Sequence, residues 1–69
     1  MNHSKVTKII EKAGFIVLSD KPLPNGTGQQ LILFGHAIVN VFNTGRCTIQ
    51  GTPSPRTRSK LIKLLSHDN

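Results

Sequence analysis

Tryptophan and tyrosine are absent from these 69 residues, cysteine and methionine occur once each, and aspartate and glutamate together number three. Each shortage excludes something. A lone Cys47 closes no internal disulfide, and with His3, His36 and His67 scattered along the chain it makes no familiar zinc-ligand spacing. No metal or other cofactor is implied. The acids Glu11, Asp20 and Asp68 fall on a helical segment, at a strand end and in the terminal tail, so they form no convergent pair for acid–base or two-metal chemistry. No apolar run approaches the roughly twenty residues of a membrane span or the core of a secretory signal, so a soluble, cytoplasmic protein without a membrane partner is expected. The glycines of LPNGTGQQ (23–30) lack the strand, glycine loop, lysine and helix order of a phosphate-binding loop, which excludes a nucleotide triphosphatase of that type.

What the chain does have is positive charge. Nine lysines and arginines give a formal net charge of +6, with an isoelectric point near 10.3 on 7.6 kDa. That balance favours encounter with polyanions, nucleic acid first and an acidic protein surface second. The length allows one domain, 1–69, with one modest core.

Apolar periodicity divides the chain. Val6, Ile9, Ile10 and Ala13 recur at helical spacing, with Asn2 or Ser4 placed to cap the start and Gly14 the end, which predicts a helix over 4–13. FIVLS (15–19) predicts a strand, and DKPLPNGTG (20–28) an irregular loop. Three more strands follow at 29–34, 37–42 and 46–50, and a helix at 55–66 begins with Ser54 as its cap and Pro55 in its first turn. The turn between the last two strands decides which side chains share a face. A three-residue loop, Asn43-Thr44-Gly45, with Gly45 left-handed at a bulge, pairs Val41 with Cys47 and Val39 with Ile49. One face then becomes apolar throughout, with Leu31, Leu33, Val39, Val41, Cys47 and Ile49 as the core. The fold class is therefore α+β: helix, four-stranded antiparallel meander, helix, with both helices on one face of the sheet.

The other face carries Gln30, Ile32, Phe34, Ile38, Asn40, Phe42, Arg46, Thr48 and Gln50. Isoleucines and phenylalanines among amides are unusual on a solvated face and point to a partner. Phe34 and Phe42 are suited to stack on bases or wedge between them, Asn40, Thr48, Gln30 and Gln50 to hydrogen-bond base edges or sugars, and Arg46 to reach phosphate or stack. On the last helix Arg56, Arg58, Lys60 and Lys63 cluster near a helix start with free backbone donors, a phosphate-binding arrangement. The same features also fit an ordinary solvated helix, a homodimer packed through the sheet face, or a binding face for another protein.

The strand-turn-strand VNVFNTG (39–45) followed by TIQG (48–51) resembles a hairpin of the TATA-box-binding-protein-like fold, as found in small bacterial domains attached to ribonuclease H enzymes and in RNA-cleaving toxins and phage-defence proteins. The resemblance implies a curved antiparallel sheet with helices behind and a nucleic-acid-facing front. Arg46-Cys47 replaces the small β-branched run of that pattern. SKVTKIIEKAGF (4–15) also looks like the first helix of small messenger-RNA interferase toxins, whose catalytic histidine belongs to a glycine-serine-histidine segment. Here Gly28-Gln29-Gln30 stands in the corresponding place, so that likeness implies a binder or an inactive relative.

Three functions follow as expectations. The first is noncatalytic binding of DNA or RNA through the open sheet face and the basic C-terminal helix. The second is a protein-interaction or dimerisation module, in phage defence or counter-defence. The third is a metal-free RNA endonuclease using His36 as general acid or base.

Overall fold

The computed structural model describes residues 3–66, and over that span the order is α1 (His3–Lys12), β1 (Val17–Pro22), a 3-10 turn (Pro24–Gly26), β2 (Gly28–Leu33), β3 (Ala37–Phe42), β4 (Cys47–Gly51) and α2 (Pro55–Leu65). The strands form one antiparallel sheet in the order β1-β2-β3-β4. This is the expected α+β meander between two helices. Asn2, His67 and Asp68, each weighed above, lie outside the described residues.

Helix α1 ends where the sequence signals it. The Phe15 N–H donates to the Ile10 carbonyl at 3.2 Å and the Gly14 N–H to that of Glu11 at 3.0 Å, the paired bonds of a Schellman cap. Phe15 and Ile10 both belong to the core cluster, so the cap also turns the chain onto the sheet. At the other end of the chain, Ser54 Oγ accepts from the Thr57 N–H at 3.2 Å and Pro55 occupies the first turn of α2.

Helix α1, β2 and β4 each shift by one residue from their expected bounds, which leaves Phe34 and Arg46 in turns, and the first strand shifts further for local reasons. Phe15 and Ile16 precede the first strand, because the α1 cap occupies Phe15, and the strand instead runs on through Lys21 and Pro22. Proline is tolerated there because β1 is an edge strand with a neighbour on one side only. The segment expected to be irregular over 20–28 accordingly holds the end of β1, the 3-10 turn and the start of β2. Opposite β2, the register of β1 shifts between Val17 and Ser19, so that Val17 pairs with Leu33 and Ser19 with Ile32, with Leu18 as the extra residue.

The β3–β4 turn has the expected form. Gly45 has φ of 92°, its N–H donates to the Phe42 carbonyl at 2.8 Å, and the Phe42 N–H donates to the Arg46 carbonyl at 2.8 Å. The register pairs Val41 with Cys47 and Val39 with Ile49.

Both helices cover the face that this register makes apolar. Val6 and Ile10 of α1 and Leu61 of α2 meet Leu31, Leu33, Ala37, Val39 and Val41, all at most 2% exposed. Cys47 and Ile49, expected in the core, are half-buried at its margin because β4 is an edge strand. Ala37 joins the core in addition. A helix of 11 residues does not hold its shape alone, so α2 depends on Leu61, its one fully buried side chain, and on half-buried Leu65. Lys60 adds a tie between the helices. Its Nζ donates to the Ala13 carbonyl at 3.3 Å and lies 5.4 Å from the centre of the Phe15 ring.

Gly28 is the tightest point of the sheet, since a Cβ there would collide with the Val41 carbonyl oxygen and stand 2.8 Å from Phe42 Cα. Gly28→Ala is therefore expected to cost about 3 kcal/mol, at the upper end of common single-substitution effects. Urea unfolding measures it, and a loss below about 0.5 kcal/mol, the size of an ordinary surface change, would contradict this packing.

Candidate nucleic-acid interface

Strand pairing arranges the uncovered face in rows that cross the sheet. Nearest the β3–β4 turn, Phe42 stands opposite Gly28, which offers no side chain, so the ring has no side-chain neighbour on β2 in its row. The next row is Lys21, Gln30, Asn40 and Thr48. Beyond it comes Ser19, Ile32, Ile38 and Gln50. Phe34 lies past that, its N–H donating to the Ile16 carbonyl at 2.9 Å. A polar band thus separates one aromatic residue from a larger apolar area.

Asn40 holds the polar band together. Its Oδ1 accepts from Gln30 Nε2 at 3.1 Å, and its Nδ2 donates to Thr48 Oγ1 at 3.2 Å and to Gln50 Oε1 at 2.8 Å. With only 4% of its surface exposed, it is the one buried polar residue among those described. Both of its donors are used within the sheet, so Asn40 positions Thr48, Gln30 and Gln50 and offers a ligand only the spare acceptor capacity of its Oδ1. Thr48 and Phe42 are half-buried, while Gln50 and Arg46 are exposed. Lys21 was missed as a member of this face because the prolines at 22 and 24 marked its segment as loop. An outward lysine on an edge strand is the signal that pointed the other way.

The apolar area is the more exposed. Phe34 shows 68% of its surface and Ile16 and Leu18 each show 60%. Ile32 and Ile38 are half-buried beside them.

The basic helix is not on this face. Since α2 packs behind β4, Arg56, Arg58, Lys60 and Lys63 lie on the opposite side of the sheet from Phe34, Asn40 and Phe42. The two sets meet only around the β4 edge, where Arg46 and Arg58 line a common groove with Gly45, Cys47, Ile49, Ile62, Leu65 and Ser66. Lys60 is occupied with Ala13 and Phe15. The α2 start also offers less than expected to an anion. Pro55 has no N–H, Thr57 donates to Ser54 Oγ and Arg58 to the Ser54 carbonyl, which leaves the Arg56 N–H alone in the first turn.

Among the described residues the remaining titratable groups lie at separate places on the fold. His36 sits at the β2–β3 turn with φ of 67°, and among the described residues its exposed ring makes no hydrogen bond. His3 Nε2 meets Asp20 Oδ2 at 2.6 Å and Gln29 Nε2 donates to Asp20 Oδ1 at 2.7 Å, a cluster that ties the α1 start to the β1 edge. Burial raises the Cys47 thiol above its usual pKa, which disfavours the nucleophilic thiolate. Among the described residues no group of histidine, cysteine and acidic side chains is arranged to hold a metal ion. Among the described residues no helix is long and apolar enough to cross a membrane.

Compared with protein-family models, curated proteins and solved structures, the chain matches none.

Three hydrogen bonds converge on a buried Asn40, whereas Thr48 and Gln50 make one each with it. Asn40→Ala is expected to lower stability by about 1–3 kcal/mol, and Thr48→Ala or Gln50→Ala by about 1 kcal/mol or less. Equal losses for the three variants in urea unfolding would remove Asn40 from its central place.

Proposed function

We propose that this chain binds nucleic acid without cleaving it, in the cytoplasm, with the strand following the β4 edge from the basic helix to the sheet front. The observation that carries the reading is the state of its cations. Among the described residues the side chains of Arg46, Arg56, Arg58 and Lys63 have no carboxylate or hydrogen-bond partner, while Asp20 is taken up by His3 and Gln29. Exposed, unpaired arginines are free to exchange counterions for phosphates, the sequence-independent part of nucleic-acid affinity. Past that edge, Phe42 together with Gln30, Thr48 and Gln50 supplies one stacking surface and several hydrogen-bonding groups. The likeness of the β3–β4 hairpin to the TATA-box-binding-protein-like pattern supports the same front. Lys60 contributes its charge to the field from a fixed position.

Fluorescence anisotropy with labelled single- and double-stranded DNA and RNA, titrated with salt, tests this directly. Arg58→Ala is expected to flatten the slope of log affinity against log salt by about 0.7–0.9. Phe42→Ala is expected to leave that slope unchanged while weakening binding by about 1–3 kcal/mol. Binding to none of the four ligands at low salt would overturn the proposal.

A second reading rests on a different observation, the exposure of Ile16, Leu18 and Phe34 beside Ile32 and Ile38. An apolar area of this kind suits a homodimer or a partner protein packed on the β1 half of the sheet. Light scattering at micromolar concentration is then expected to give twice the chain mass, reverting to the monomer in Phe34→Ser. A monomer mass at every concentration, with no protein retained through this face, would eliminate it.

A further inference from the structure

From the β4 edge and the groove beside it we infer a second binding site, for an extended acidic peptide segment that adds to the sheet as a fifth strand. The argument begins with backbone groups. At the two ends of the β3–β4 ladder the Phe42 N–H donates to the Arg46 carbonyl at 2.8 Å and the Thr52 N–H to the His36 carbonyl at 3.0 Å. Antiparallel ladders alternate between bonded and non-bonded pairs, so Thr48 and Gln50, in step with these two anchors, bond inward to Asn40 and Ile38. Cys47, Ile49 and Gly51 consequently turn their N–H and C=O groups outward. Among the described residues no further strand lies beyond this edge, and no loop or helix donates to or accepts from these outward groups. They are a template for strand addition.

Side chains decide what kind of strand fits. On the helix side of the edge lies the groove between β4 and α2, of roughly 410 Å³, whose apolar lining is Cys47, Ile49, Ile62 and Leu65. Ile62 remains 49% exposed although it sits on an otherwise docked helix. Among the described residues, Arg46 and Arg58 line the same groove, no acidic residue does, and neither guanidinium has a partner. A segment with alternating apolar and acidic residues answers each feature. Its backbone completes the Cys47, Ile49 and Gly51 pairing, its apolar side chains cover Ile49 and Ile62 on the helix side, its carboxylates on the opposite side reach Arg46, and Arg58 at the rim of the groove adds longer-range attraction. Nucleic acid has no backbone donors and acceptors at strand spacing to match this edge, which is why the groove favours peptide. The inference stands independently of nucleic-acid binding by the sheet front. Because Arg46 and Arg58 serve both ligands, peptide occupancy is expected to compete with nucleic acid wherever the latter binds.

The probe is a dye-labelled synthetic peptide of about six residues, the common strand length, in which valine and glutamate alternate. A lysine-for-glutamate version and a glutamate-only version serve as controls. Saturable binding is expected below about 1 mM, a free energy of about −4 kcal/mol or better. The Cys47, Ile49 and Gly51 amides are expected to exchange at least tenfold more slowly with peptide bound, and alkylation of Cys47 to slow in parallel. Arg58→Glu and Ile62→Glu, both at exposed positions, are each expected to weaken binding at least tenfold, while the lysine and glutamate-only peptides bind at least tenfold more weakly. Unchanged exchange at those three amides, or equal binding of the glutamate-only peptide, overturns the inference. So does an RNA oligonucleotide that protects the same amides when the alternating peptide does not.

Discussion

One left-handed residue sets the whole arrangement. Gly45, at φ of 92°, closes a three-residue turn with a bulge, and that odd loop length fixes the parity of β3 against β4. With this parity Val39 and Val41 face the helices together with Cys47 and Ile49, and Asn40 and Phe42 face away. A slip of one residue here would leave Val39 and Val41 with Leu31 and Leu33 but bring Thr48 and Gln50 beside them and turn Cys47 and Ile49 outward, mixing apolar and polar side chains on both faces. The hydrophobic core and the uncovered face are therefore consequences of the same turn.

The polar row then reinforces that parity from the other side. Burying the Asn40 amide is costly unless its hydrogen bonds are met, and in this register Gln30, Thr48 and Gln50 meet them. A one-residue slip of β4 separates Asn40 from Thr48 and Gln50. Small chains bury little apolar surface, so a network that is satisfied in only one alignment does much to select that alignment. It also changes the functional meaning of Asn40. The residue is a scaffold for its neighbours, and contact with a ligand passes to Thr48, Gln50, Gln30 and Phe42.

Most of the architecture was legible because it is written in local spacing. The period of Val6, Ile9 and Ile10, the Ser54-Pro55 start of α2 and the Asn43-Thr44-Gly45 turn each act within a few residues, and each appears where its pattern placed it. The first strand was harder. Its true extent depends on an edge position that tolerates Pro22 and on a cap that claims Phe15, and both are tertiary facts. The candidate site was legible as a set of residues and illegible as a shape. Sequence parity sorted Phe34, Asn40, Phe42, Arg46, Thr48 and Gln50 onto one side, but the placement of Arg56, Arg58, Lys60 and Lys63 behind the sheet follows from α2 docking through Leu61. Likewise, nothing in the sequence around Lys60 announced its bond to the Ala13 carbonyl 47 residues away.

The uncovered face and the strand edge that borders the groove beside β4 both take their composition from the Gly45 turn. The most direct test of that dependence is an NMR measurement of cross-strand contacts between Hα protons, which are closest in non-bonded antiparallel pairs. Cross-peaks joining Val41 to Cys47 and Val39 to Ile49 are expected. Cross-peaks joining Phe42 to Cys47 instead, as a two-residue turn would give, would contradict the account of both surfaces.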